Sequence, residues 1–207
     1  MTAVSPLTLN RLSLYLRCLQ ELERSGVERV SSTELAERYQ LSASQIRKDL
    51  AQFGEFGIRG VGYEVRQLRE RLRALLGLER THHLLIVGVG RLGTALAAYP
   101  GFNGDGFRVV GLVDSDPAKV GRRIGPLTVR STAELAALVC ETQATMGVLT
   151  VPSSAAQASY DALALAGVRA VLNFAPTQLR LQRGVRVKTV DLRIGLEELG
   201  FFLARQE

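Results

Sequence analysis

Two spacings of apolar residues divide the chain. Up to about residue 78 the apolar positions recur at helical intervals, and from Leu84 onward short apolar runs alternate with helical stretches. In the first part, Leu12, Tyr15, Leu16, Leu19 and Leu22 share one face of a helix over 8–25, which Ser25-Gly26 ends. VSSTELAERYQL (30–41) predicts a second, short helix, with Ser31 or Ser32 as cap and Glu34 as the acid of a capping box. After the break at Leu41-Ser42, ASQIRKDLAQFG places Ile46, Leu50 and Phe53 on one face and Gln45, Arg47, Lys48 and Gln52 mostly on others. A fourth helix over 64–76 buries Val65, Leu68, Leu72, Leu75 and Leu76, and its arginines read as a solvated face.

The second part predicts strands at 84–89, 107–113, 127–129, 146–151 and 168–172, with helices at 91–99, 117–120 (brief), 132–141 and 153–166. Strands alternating with helices mean a parallel sheet with crossover helices on both faces, a doubly wound, Rossmann-like α/β fold. A last strand over 185–190 precedes a helix over 191–205 with Leu192, Leu196, Leu199, Phe202 and Leu203 on one stripe, widened by Phe201. That stripe either packs on its own sheet or is buried by a second subunit. The expected division is residues 1–78, 79–190 and 191–207.

Chemistry enters at GVGRLG, Gly88, Val89, Gly90, Arg91, Leu92 and Gly93, which follows an apolar strand and opens a helix. In that setting Gly88 permits the tight turn, Gly90 lets the backbone approach a pyrophosphate, and Gly93 lets the helix lie close to the strand. A diphosphate would sit on the helix N-terminus. The next strand ends in Asp114, 21 positions after Gly93 (114 − 93). A carboxylate at that distance holds the ribose hydroxyls of an adenosine and repels a 2′-phosphate, which favours NADH and NAD over NADP. Thr150, Val151 and Pro152, and then Asn173 and Phe174, end later strands at the same edge. They are candidates to wall the nicotinamide, with Asn173 as a hydrogen-bonding group and Phe174 as a stacking surface.

Two short helices with a tight turn, the second carrying Ser44, Gln45, Arg47 and Lys48, describe a helix-turn-helix whose second helix enters a major groove. Gln pairs with adenine, and Arg or Lys with guanine or phosphate. GEFGIRGVGYEV, with glycines at 54, 57, 60 and 62, predicts a bent hairpin acting as a wing, with Arg59 near its tip and Tyr63 on its return. Double-stranded DNA is the expected partner. The formal net charge of +6 does not locate the DNA site, because residues 1–80 and 81–207 each carry 13 basic and 10 acidic side chains.

Other classes lose ground. The two cysteines, Cys18 and Cys140, lie in different segments without a Cys/His cluster, so no metal site is expected and both thiols read as buried and inert. No apolar stretch approaches a membrane span, and the N-terminus carries no leader pattern, so the protein reads as cytoplasmic. The two histidines, His82 and His83, precede the first sheet strand at the edge opposite the glycine loop. A nicotinamide dehydrogenase would need an acid or base beside the ring and a substrate lobe, and neither is evident. The remaining rivals are a sensor of another nucleotide such as coenzyme A and a thiol-based regulator.

The motifs SQIRKDL, FGEFGIRGVGY, GVGRLGTAL, TVPS, NFAP and DLRIGLEELGFFL together resemble the Rex family of redox-sensing transcriptional repressors over nearly the whole chain. The resemblance implies a homodimer that holds palindromic operators when NADH is scarce and leaves them when NADH binds. It further implies a C-terminal helix swapped between subunits. Arg11, Tyr99 and Asp191 match by position a polar network between domains that rearranges with cofactor state.

Overall fold

A computed structural model describes residues 4–58 and 61–205. The chain divides into two compact units, Met1–Arg80 and Thr81–Glu207.

The first unit packs α1 (Pro6–Arg24), α2 (Ser32–Tyr39), α3 (Ala43–Ala51) and α4 (Val65–Leu75) around one apolar core. Ser5 caps α1 from just before Pro6. Ser31 and Glu34 close the capping box on α2 from both sides, 3.0 and 2.7 Å. Gln40 in the left-handed region ends α2, and Ser42 caps α3, so the turn between them is three residues long. Three of the four arginines of α4 are tied to the unit, which differs from a solvated face, while Arg66 stays exposed and pairs with Glu70 in its own helix. Arg69 pairs with Glu23 of α1 at 2.6 Å, Arg73 donates to the Leu78 carbonyl, and Arg71 lies over Phe56 while donating to the Glu55 carbonyl.

In the wing, an isolated bridge among the described residues joins Ile58 to Gly62, and the following strand, β2 (Tyr63–Glu64), pairs antiparallel with β1 (Arg29–Val30), which lies between α1 and α2. Gly62 is required there. Its φ is +88°, and a Cβ would meet the Val30 carbonyl oxygen at 2.7 Å. Arg59 lies outside the described residues.

The second unit is a seven-stranded sheet in the order β5-β6-β4-β3-β7-β8-β9. Its strands are β3 (His82–Val87), β4 (Phe107–Asp114), β5 (Arg123–Ile124), β6 (Leu127–Ser131), β7 (Met146–Leu149), β8 (Ala170–Asn173) and β9 (Arg186–Thr189). All pairs are parallel except β5 with β6. The chain winds outward from β3 through β4 to β6, then returns to the other side of β3 for β7, β8 and β9. The switch of direction lies between β3 and β7, where ligands of open α/β sheets bind at the carboxyl ends. The crossover helices are α5 (Arg91–Ala97), α6 (Leu135–Thr142) and α7 (Ser153–Leu165), and α8 (Leu192–Leu203) ends the chain.

Three sequence expectations change in this unit. His82 and His83 are the first residues of β3 rather than its prelude. Residues 117–120 form a turn instead of a helix, because the Asp116 carboxylate captures the Ala118 N–H and its carbonyl accepts from Lys119 N. The two-residue strand β5 went unpredicted. It doubles back on β6 and makes one edge of the sheet, while β9 makes the other with Arg186, Lys188 and Thr189 exposed. Among the described residues no residue of α8 is buried, and Leu192, Leu196, Phe202 and Leu203 are each exposed by 62 % or more.

Candidate functional site

Gly88 leaves β3 with φ +97°, and a Cβ on it would lie 2.7 Å from the Val151 side chain and 2.8 Å from the Thr150 carbonyl oxygen. Gly93 sits in the first turn of α5, where a Cβ would come within 2.0 Å of the Gly88 carbonyl oxygen. These two glycines are demanded by the fold itself. Gly90 is not, since a Cβ there meets no atom within 4 Å and the residue lines an open cleft. An ordinary side chain would be tolerated by the protein at Gly90 and would fill space beside the start of α5, a fit to the backbone approach that a diphosphate needs.

The cleft has a volume of about 760 Å³ and opens at the carboxyl ends of β3, β4 and β7. Gly88, Gly90, Leu92, Asp114, Thr150, Val151, Pro152 and Phe174 all line it. Val89, Arg91, Gly93 and Asn173 do not. Val89 is buried and acts through its backbone, Arg91 is the exposed first residue of α5, and Gly93 is packing. Asn173 differs most from its expected part. Its side chain is fully buried, donates to the carbonyls of Ala175 and Thr177 at 3.1 and 3.3 Å, and accepts from Ala175 N at 3.0 Å. Its amide is occupied in shaping the loop that carries Phe174 to the cleft.

Asp114 is 6 % exposed and tightly held. Oδ2 accepts from Val89 N at 2.6 Å and from Lys119 Nζ at 3.0 Å, and Oδ1 accepts from Asp116 N at 2.9 Å. Burial works against the charged form. The Asp116 and Val89 amides and the Lys119 ammonium outweigh it and hold the carboxyl below its ordinary range. Lys119 was not singled out from the sequence. The turn at 116–119, in place of a helix, is what aims it back at Asp114.

In the first unit, α3 presents Ser44, Arg47 and Lys48 to solvent, with Gln45 half-buried, and buries Ile46 and Leu50. Ser44 Oγ lies 3.1 Å from the Ser42 hydroxyl, and Arg47 Nη1 donates to Ser32 Oγ at 2.7 Å, which ties α3 to α2. Tyr63 is half-buried, and burial raises its hydroxyl pKa against the opposing charge of Arg47. The residue that sequence reasoning missed is Asp49. Its side chain is 0 % exposed, and its carboxylate accepts from Arg11 Nε and Nη2 at 2.6 and 2.8 Å, Tyr15 Oη at 2.9 Å and Gln45 Nε2 at 2.7 Å.

Arg11, expected in a network with Tyr99 and Asp191, thus has its guanidinium bound inside the first unit. Tyr99 is exposed with its ring edge-on to Phe102, and Asp191 caps α8 by accepting from Arg193 N at 2.9 Å. Cys18 is buried, which pushes its thiol up to about 11, whereas Cys140 is exposed and not the buried thiol expected. Among the described residues no three His, Cys, Asp or Glu side chains group to hold a metal ion, and no helix is long and apolar enough to cross a membrane.

Comparison with known proteins joins the two halves. Residues 3–51 match the family described as "Putative DNA-binding protein N-terminus", and residues 79–177 match the CoA binding domain. A redox-sensing transcriptional repressor Rex from Desulforamulus reducens is 46 % identical over 97 % of this chain and 95 % of its own. The Rex repressor of Chloroflexus aurantiacus is 43 % identical over 96 % of this chain and 94 % of its own. Among solved structures, RSP in complex with β-NAD+ and operator DNA superposes with TM-score 0.93 at 36 % identity, covering 100 % of this chain and 95 % of the other. RSP in complex with β-NADH gives 0.88 at 34 % identity, covering 100 % and 97 %. A winged-helix unit with a recognition helix, a Rossmann-like sheet with a glycine-lined cleft and this identity along both units place the chain in the Rex family of redox-sensing transcriptional repressors.

Proposed function

We propose that the chain binds a palindromic operator as a homodimer when NADH is scarce, and that NADH in the cleft of the second unit releases it. The observation that carries the cofactor is Asp114, a buried, ionised carboxylate lining the same cleft as Gly88, Gly90 and Phe174. In this reading Asp114 takes the adenosine ribose, Gly90 admits the diphosphate beside α5, and Thr150, Val151, Pro152 and Phe174 wall the nicotinamide. A coenzyme A sensor would have no use for a carboxylate at the ribose, and that separates this reading from the description of the matched domain.

A ligand shifts a two-state protein only by the difference of its affinities for the two states. NADH and NAD differ at the nicotinamide, which is cationic and planar when oxidised and neutral when reduced. A wall of Val151, Pro152 and Phe174 disfavours an unpaired cation. NADH therefore binds the closed, DNA-free form more tightly. Ser44, Gln45, Arg47, Lys48, Arg59 and Tyr63 meet DNA. The bare apolar stripe of α8 is the dimer surface, exchanged between subunits, with Tyr99 and Asp191 near the parts that rearrange. The dimer works in the cytoplasm, where both DNA and the cofactor pool are found.

Selection of duplexes from a random pool by the purified protein, repeated with NADH, with NAD and with neither, tests this. A palindrome whose binding NADH abolishes and NAD spares is the expected result. A palindrome indifferent to both nucleotides would move the ligand elsewhere, and no enriched duplex at moderate salt would end the DNA-binding reading.

A further inference from the structure

The carboxylate of Asp49 has no ordinary solvated role. It lies on the recognition helix α3, is wholly buried, and is fixed from α1 by the two-pronged bond to Arg11 and by the Tyr15 hydroxyl. Its fourth donor is Gln45 Nε2 at 2.7 Å, one turn earlier on the same helix. Pairs of Gln and Asp four residues apart are common on helix surfaces and individually weak. Here one partner is anchored by three bonds from another helix and cannot follow the other into solvent. An ionised carboxylate only accepts, so the carboxamide must turn its nitrogen towards Asp49, and its orientation is set.

A carboxamide has two N–H donors and one oxygen. With one N–H held by Asp49, Gln45 keeps one N–H and Oε1, the pair that matches N7 and the N6 amino group of adenine in a major groove. Gln45 lies in the first turn of α3, the part of a recognition helix that reaches base edges. Its two neighbours on the exposed face differ. Arg47 is tied to Ser32, and Lys48 has a flexible stem suited to a phosphate.

We infer that Asp49 is a positioning residue for base recognition, holding the Gln45 carboxamide before DNA arrives so that the helix presents an adenine-reading edge already set. The inference rests on the reading of α3 as the DNA-contacting helix. Without the anchor, a Gln side chain loses rotamer freedom when it meets its base, and discrimination falls with the ordering cost.

The experiment uses the full-length chain and the duplex that the wild type enriches, with each base pair substituted in turn and affinities read by fluorescence anisotropy without NADH. Wild type should prefer adenine over the other bases at one position per half-site by about tenfold or more. Gln45→Ala should erase that preference alone, and Asp49→Asn should lower it to within about threefold of Gln45→Ala, the scale of one weakened hydrogen bond. Tyr15→Phe removes another donor from the same carboxylate and keeps the Gln45 bond. It should keep the preference even where it lowers the melting temperature. Equal loss in Asp49→Asn and Tyr15→Phe would overturn the inference in favour of general loosening. If Gln45→Ala changes no base preference, the inference fails while the DNA-binding reading stands, and if wild type enriches nothing, both fail. Should Asp49→Asn not fold, the wild-type free protein decides by NMR. One protected, shifted Gln45 side-chain N–H supports the positioning, and two rapidly exchanging ones overturn it.

Discussion

Thr150 Oγ1 donates to the Gly88 carbonyl oxygen at 2.6 Å, with Val87 O a longer second partner at 3.2 Å, and so clasps the ends of β7 and β3 across the point where the sheet changes winding direction. The clasp fixes the first glycine of the loop beside Gly93, where a Cβ would meet the Thr150 hydroxyl at 2.8 Å. Thr150→Val keeps the branched shape and removes the donor. The loss should be about 1–2 kcal/mol of stability by urea unfolding, with NADH affinity reduced several-fold in a fluorescence titration.

Gly90 and Gly93 should separate binding from folding. Gly93→Ala drives a methyl towards the Gly88 carbonyl and should destabilise by about 1–3 kcal/mol as α5 is pushed off the sheet. Gly90→Ala meets no protein atom and should melt at or slightly above the wild-type temperature, through loss of unfolded-state freedom. It should nevertheless weaken NADH by about tenfold or more, because the methyl occupies the approach of the diphosphate. Thermal melts beside NADH titrations distinguish the two. A Gly90→Ala variant that binds normally would remove the diphosphate from this loop.

Asp114→Asn keeps the shape and removes the charge that Lys119 and two backbone amides gather around. NADH binding should fall by about tenfold or more, and discrimination against NADPH should relax. Because the folded carboxyl is held below its ordinary range, the group stays ionised at neutral pH. Wild-type NADH affinity, followed by calorimetry from pH 8 downward, should show no step from Asp114 until the pH falls below the ordinary carboxylate range.

The Arg11–Asp49 pair gives the first unit an acid limb. Hydrogen bonding by the Arg11 guanidinium, helped by Gln45 and Tyr15 and opposed by burial, lowers the Asp49 pKa. A depressed folded pKa means that the pair's stabilisation is complete above the unfolded value, about 3.9, and is lost as pH falls through the folded one. Circular-dichroism melts between pH 7 and pH 3 should show the first unit losing stability at the acid end. In Asp49→Asn that limb should flatten, while stability at pH 7 drops by about 1–2 kcal/mol, because the Arg11 side chain left behind is 32 % exposed and can turn to water.

Since Phe202 of α8 is 62 % exposed, Phe202→Glu should leave the monomer's melting behaviour unchanged. If the helix is the dimer surface, ultracentrifugation should show the mass falling to that of one 22.5 kDa chain, with operator affinity lost in parallel. A Phe202→Glu variant that remains dimeric would place the interface elsewhere.

What the sequence made legible follows from range. Local signals carried α1 to α4, the glycine loop and the alternation of the sheet, because helical spacing, Ser caps and glycine turns act within a few residues. Asp114 was legible for the same reason, as the end of an apolar run at a fixed distance from the loop. Asp49 was not. In RKD it reads as one more surface charge, and its burial is decided by Arg11 and Tyr15, more than thirty residues earlier. The pairing of Tyr63–Glu64 with Arg29–Val30 is likewise set by packing, since two-residue strands carry no period to read. Asn173 lined up with the cleft by position, but the loop it shapes, rather than a ligand, takes its amide.

The two ends of the sheet bear on how the protein behaves when crowded. A parallel sheet with open outer strands invites another chain to continue it, and such growth leads to insoluble fibrils. One end here is the two-residue β5, too short to template anything, and the other displays Arg186 and Lys188 on β9. A second copy laid in register against β9 would set those cations beside their own images. Solubility at high concentration is thus written into the last strand by charge, and replacing both residues with valine would make this strand the place where aggregation begins.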